Sequence, residues 1–183
     1  MPGRGAGSST SRWGGRGGLH PGFRGGVILR YGRAPMSPAS GPSPIAFPSA
    51  AWCAAYKDAI NANPSYKAAG KDWTHGPVAM VVTAEPTVGL AHDMAMWLDV
   101  DRGECRDCRL VSRDEAEKAP FVIVASYARW KEVIRQLLDP TKGMMQNKLK
   151  LTKGHMPTMV KYVTASKELV ASSTRVPTKF LDE

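Results

Sequence analysis

The sequence predicts an α+β domain in which five strands are interleaved with helices. Three observations carry this expectation. An Ala-rich stretch from Ser49 to Asn61 sets apolar residues at helical spacing. Between Val78 and Ala125, short runs alternate in polarity or stay apolar throughout, as strands do. Ser126 to Leu138 then carries one apolar stripe of helical period before a further alternating run begins.

Taken in order, helix one opens at Ser49 and carries Trp52, Tyr56 and Ile60. Asn63-Pro64 sets a capping residue before a proline at the first helical position, so a short second helix should run to Ala69 and stop at Gly70. Trp73 follows as a packing anchor. Val78 to Thr83 reads as the first strand and Val88 to Leu98 as the second, with Val88, Leu90, His92, Met94, Met96 and Leu98 on one face by the period of two. Asp99 to Glu104 is a turn into a third strand, Cys105 to Val111. The charged run Ser112 to Lys118 leads through Pro120 to a fourth strand, Phe121 to Ala125, apolar on both faces and therefore central. A helix from Ser126 ends at Asp139-Pro140, the alternating stretch Met144 to Thr152 supplies the fifth strand, and a last helix spans Pro157 to Ser173.

Charge separates the chain into two parts. Residues 1–46 hold 12 of the 18 Gly, 6 of the 14 Pro, six Arg and no acidic residue. The remainder carries 19 basic against 16 acidic residues, so most of the net charge of +9 belongs to a segment that cannot build a core. This segment is expected to be a disordered tail, an over-extended start upstream of Met36, or a targeting segment. Its Arg-Gly pieces near Trp13, Phe23 and Tyr31 could in principle stack on single-stranded RNA, but composition does not name a partner and nucleic acid is not the preferred one. The folded domain is expected over residues 47–183. No run reaches the roughly 20 apolar residues of a membrane-spanning helix. Three cysteines are odd in number and too few for a secreted disulfide scaffold, which makes the cytoplasm the expected compartment.

Candidate chemistry is sparse, and no cofactor is called for. Cys105-Arg-Asp-Cys108 has the spacing of half a zinc site, but no second pair exists, and residues three apart on a regular strand face opposite sides. Asp99, Asp101 and Gly103 lack the later ligands of a calcium loop. The four histidines are dispersed, and no nucleophile elbow or phosphate-binding Gly loop occurs. No metal site and no catalytic group are assigned. His92 interrupts an apolar strand face and is kept as the polar pocket candidate, with a hydrogen-bonded interior histidine as the plainer reading. Seven methionines lie in the folded part; their flexible side chains suit a surface that repacks around variable apolar ligands, but periodicity alone favours ordinary core.

Distributed residues give the sequence a resemblance. Trp52 with Tyr56-Lys57 and Asn61, then Asn63-x-x-Tyr66 and Trp73, then Ala119-Pro120-Phe121-Val-Ile123 leading to Trp130-Lys131-x-Val133-Ile134, then Asp139-Pro140 and Asn147-Lys148-Leu149-Lys150-Leu151-x-x-Gly154, are similar to the sterol carrier protein type 2 family over Phe47 to Phe180. The family often has Gly where this chain has Gln136 and Asn147. The chain also ends in Lys179-Phe-Leu-Asp-Glu183 without a Ser-Lys-Leu type signal, so peroxisomal import by that route is not expected.

The resemblance implies a mainly antiparallel five-stranded sheet covered by helices on one face, with a hydrophobic tunnel between them. It implies non-enzymatic binding and intracellular transfer of a fatty acid, acyl-CoA, phospholipid or sterol, with transient contact to a membrane surface. The lining is then expected from Met94, Met96, Phe121, Ile123, Leu149, Leu151, Met156 and Met159. Lys148 and Lys150, on the opposite strand face, are read as solvated, with contact to anionic headgroups as the alternative. Two alternatives stay open: an enzyme or accessory subunit acting on an acyl or steroid substrate through His92 and Asp93, and an RNA-associated protein acting through its tail.

Overall fold

The computed structural model describes residues 43–183 together with a few isolated positions before residue 15. The chain divides into Met1–Ala39 and Ser40–Glu183, and every element of secondary structure described lies in the second unit. The sequence readings placed on the tail fall outside the described residues.

The elements are β1 (Ile45–Phe47), α1 (Ala50–Asn61), α2 (Pro64–Gly70), β2 (Val78–Thr83), β3 (Met94–Asp101), β4 (Glu104–Val111), α3 (Arg113–Ala116), β5 (Phe121–Ser126), α4 (Tyr127–Ile134), α5 (Pro140–Met145), β6 (Lys150–Lys153), α6 (Met156–Lys161), α7 (Val163–Ser173) and β7 (Thr178–Phe180). Five strands form one sheet in the order β4-β3-β2-β5-β6. Only the central β2–β5 pair is parallel, and the other three pairings are antiparallel. The α+β class and the mainly antiparallel sheet agree with expectation.

Local chemistry sets the helix starts. The Ser49 side chain accepts from Trp52 N at 3.1 Å, and the Asn63 side chain accepts from Ser65 N at 3.1 Å ahead of Pro64. Asn61 pins the end of α1 to the sheet edge: its Nδ2 donates to Cys105 O at 3.0 Å and its Oδ1 accepts from Cys105 N at 2.9 Å. The β3–β4 turn uses Arg102 (φ 46) and Gly103 (φ 80), two left-handed residues that match the twist of a tight hairpin. Gly103 also lies so close to the Lys67 backbone that no side chain fits there.

Two cores result. The larger joins one sheet face to α1, α2 and α4–α7 and includes Trp52, Tyr56, Met96, Leu98, Ile123 and Trp130. A smaller one on the other face, built from Ala79, Val81, Ala95, Val122, Ala116 and Ala119, lies under α3. The helical cover is therefore one-sided except for α3, whose short turn the charged run 112–118 hid.

Several expectations need correction. The second strand begins at Met94 rather than Val88, because Pro86–Val88 forms a 3-10 turn closed by Gly89 in the left-handed region (φ 87). Met144 and Met145 belong to α5, since Asp139 caps a helix there by accepting from Lys142 N at 2.9 Å, so β6 starts only at Lys150. The last helix is broken at Tyr162 into α6 and α7. The parallel pair β1–β7 has no counterpart among the expected elements: Phe47 meets Phe180 in register and Ile45 meets Thr178.

Candidate functional site

The sheet face turned to the helices is an apolar floor. Alternation brings Val78 and Met80 of β2 to this face, and register sets Met96, Met80 and Ile123 in one row across three strands and Leu98, Val78 and Phe121 in the next. Above it lies an apolar cavity of about 90 Å³. Its floor is Val78, Met80, Met96, Leu98, Val100 and Ile123. Trp52, Tyr56 and Tyr66 close one side from α1 and α2, and Trp130, Val133 and Ile134 close another from α4. Pro140, Met144 and Met159, with Ala165, Ser166, Leu169, Val170 and Ser173 of α7, complete the roof.

The polar atoms of most aromatic walls are turned away and satisfied. Trp52 Nε1 donates to Thr178 Oγ1 at 2.9 Å, Trp73 Nε1 to Gly76 O at 2.9 Å and Trp130 Nε1 to Val81 O at 2.8 Å. The Tyr56 hydroxyl donates to Leu169 O at 3.0 Å and that of Tyr162 to Asp72 O at 2.8 Å. Burial holds the Tyr56 phenol well above its ordinary value, and Tyr66 is raised for the same reason. Neither ionises near neutrality. The cavity therefore presents an uncharged, apolar wall with no general base aimed into it.

Of the lining residues expected from the sequence, Met96, Ile123 and Met159 border this cavity. Phe121 is buried beside it against Trp73, with ring centroids 5.3 Å apart, and packs over Gly154. Leu149 is spent on Gly143, where it leaves no room for a Cβ. Met94, Leu151 and Met156 are half-buried at the margin of the same core. His92 is corrected outright: it stands before β3, exposed, with no hydrogen bond among the described residues. Its neighbour Asp93 is engaged elsewhere, pairing with Arg113 at 3.1 Å and accepting from Ala84 N at 2.8 Å. The polar pair offered for an enzymatic reading therefore does not converge on the cavity.

Sequence reasoning missed Met80 and Met144. The signal for Met80 was available, because Val78, Met80 and Val82 share a face by the period of two. Met144 was hidden by a false strand phase.

Cys105 and Cys108 face the same core, contrary to a regular strand, because the pairing slips between Asp99 and Val100 and leaves Arg106 as an extra residue. Both are buried free thiols, as is Cys53. The hydrogen bond from Cys108 to Cys53 and burial hold the Cys108 thiol protonated, and burial pushes Cys105 up to about 12. Among the described residues no group of three or more His, Cys, Asp or Glu is arranged to hold a metal ion.

A family model described as the SCP-2 sterol transfer family matches residues 56–166. The chain belongs to that family. A crystal structure of sterol carrier protein 2 is 34% identical, covers 70% of this chain and 97% of its own, and superposes with a TM-score of 0.64. The solution structure of a conserved hypothetical protein from Thermus thermophilus is 33% identical, covers 72% of this chain and 90% of its own, with a TM-score of 0.65. None of the curated proteins compared with the chain matches it. The family's matched segment runs from Tyr56 in α1 to Ser166 in α7 and so spans the floor of the cavity and much of its roof.

Proposed function

We propose that this member of the SCP-2 family binds a single lipid acyl chain or sterol in the cavity between sheet and helices and carries it between membranes, without chemistry. The observation that carries the reading is the cavity itself: apolar, partly open to the surface, and walled by aromatic side chains most of whose hydrogen bonds point outward. Burying a tail of about 14 methylenes at about 0.8 kcal/mol each gives a gross of ~11 kcal/mol before ordering costs.

The volume bears on mechanism. An engineered apolar cavity of roughly 150 Å³ holds one benzene, so 90 Å³ is too small for a lipid tail. Entry must enlarge it. Met80, Met96, Met144 and Met159 are the residues suited to that, since an unbranched thioether side chain repacks at low cost. Two of them, Met144 and Met159, lie on the short helices α5 and α6. The cytoplasm suits a chain with three buried free thiols. Among the described residues no helix is long and apolar enough to cross a membrane.

The test is a titration with a fluorescent fatty acid and competition by unlabelled fatty acid, acyl-CoA, phospholipid and sterol. Saturable binding at one site per chain, relieved by one of these competitors, supports the reading and names the lipid. Absence of saturable binding to all of them rejects it.

A further inference from the structure

Among the described residues Leu137 and Met145 are the most exposed large apolar side chains, at 75% and 68%. Single exposed residues of this kind are ordinary. These two, however, flank segments that pack on each other. Leu138 lies against Gly143, and Lys148 N returns to Gly143 O at 2.8 Å to close the turn that displays Met145.

The surroundings are basic. Residues 136–153 contain four lysines and one carboxylate, Asp139, which caps α5 and lies 3.7 Å from Lys167. Lys142, Lys148 and Lys150 are exposed and form no ion pair among the described residues. Arg129, Asn147, Lys148 and Lys150, with Thr83 and Ser126, also line one open cleft beside this turn. Glu132 is the nearby acid in sequence, and it is bound to Arg129 at 2.7 Å.

On their inner side the same segments wall the cavity, through Ile134, Pro140 and Met144. We propose that this surface docks the protein on an anionic lipid bilayer, with Leu137 and Met145 entering the interfacial region and Lys142, Lys148 and Lys150 facing lipid phosphates. The proposal rests on the lipid-carrier reading and supplies its point of exchange: the helix that touches the bilayer outside is the one that touches cargo inside. A bilayer fits better than a second protein, because lysine is depleted at protein–protein interface cores whereas each lysine near an anionic surface strengthens binding about fivefold. Three give on the order of 100-fold, while two apolar side chains are too few for permanent anchoring. Reversible contact is what a carrier needs.

The experiment uses the full chain with phosphatidylcholine vesicles, with and without phosphatidylserine, by co-sedimentation. In parallel, Leu137→Cys is labelled with an environment-sensitive fluorophore, with the same label at Glu104 as control. The expected result is serine-lipid-dependent binding that falls with salt, a blue shift at 137 and none at 104. Leu137→Asp with Met145→Asp should weaken binding at least tenfold while fatty-acid titration in solution stays as in the parent chain.

No shift at 137, or vesicle binding untouched by the double substitution, overturns the proposal and assigns any residual binding to the Arg-rich tail. A parent chain that self-associates through these residues without regard to vesicles overturns it in favour of a second copy. Loss of fatty-acid binding in the parent chain, with docking intact, rejects the carrier reading and leaves the docking surface standing.

Discussion

Replacing Ala165 by Leu should make the protein more stable and less able to bind lipid. Ala165 sits on α7, is 6% exposed and borders the cavity. Leucine adds about three methylene equivalents, a gross gain near 2.4 kcal/mol at about 0.8 each. The void sets a similar ceiling: at about 24 cal/mol per Å³ of cavity, filling 90 Å³ returns ~2 kcal/mol. Fixing the new rotamer costs about 0.5–1 kcal/mol, and imperfect fit removes part of the rest. The net expectation is a gain of ~1 kcal/mol, or a rise of about 2–4 °C in Tm for a domain of this size. Fatty-acid affinity should fall at least tenfold, because the space the tail must enter is occupied. Thermal unfolding of lipid-stripped protein and a fluorescent fatty-acid titration read the two quantities separately. A variant that binds as the parent chain does would refute the assignment of this cavity as the lipid site.

Gln136 and Asn147 adopt left-handed backbone, at φ 59 and 56, in the two places where the family often has Gly. Gln136→Gly should stabilise by about 1 kcal/mol, since relief of the left-handed strain exceeds the entropy glycine adds to the unfolded chain; a lower urea midpoint would contradict this. Asn63, 1% exposed, caps α2 and donates from Nδ2 to Ser172 Oγ at 3.0 Å and Glu168 O at 3.2 Å. Asn63→Ala should cost about 2–3 kcal/mol in urea unfolding through loss of cap and buried hydrogen bonds. Lys131 holds Asp182 and Glu183 below their ordinary values of 3.8 and 4.5 and is itself raised above 10.5 by hydrogen bonds to them. The depressed carboxylates contribute stability present above about pH 5 and lost as pH falls through their lowered values. The raised lysine contributes stability present below pH 10.5 and lost above it. Protection of the Leu181 amide, which donates to the Tyr127 hydroxyl at 2.8 Å, should therefore decline in acid, as read by hydrogen exchange. The effect is small for exposed pairs, and unchanged protection in strong acid would contradict it. Cys53, Cys105 and Cys108 should react with a thiol reagent only on unfolding, since all are buried.

Most elements were legible because their signals are local. Ser49 and Asn63-Pro64 announce α1 and α2, and Val78–Thr83 and Phe121–Ser126 read directly as β-branched, apolar runs. What the sequence did not show depends on distant partners or on phase. Ile45–Phe47 is three residues long and becomes a strand only by pairing with Thr178–Phe180. Met144 looked like the start of an alternating strand, yet Asp139 caps a helix that turns it inward and Met145 outward. The bulge at Arg106 reversed the expected facing of one cysteine, and bulges leave no composition signal in a charged edge strand. For the site, alternation located Met96 and Ile123 on the floor, but His92 was carried too far by a strand phase that Gly89 interrupts. Most of the roof, from Trp130 to Val170, is assembled from helices whose orientation no local pattern fixes.

Native mass spectrometry of the purified chain, followed by solvent extraction and identification of any bound molecule, tests the central claim most directly. The account predicts one lipid per chain, released on denaturation, and an emptied protein that takes up one fluorescent fatty acid. A chain that purifies empty and refuses fatty acid, acyl-CoA, phospholipid and sterol alike would mean that the methionine-rich cavity is only an imperfectly packed core.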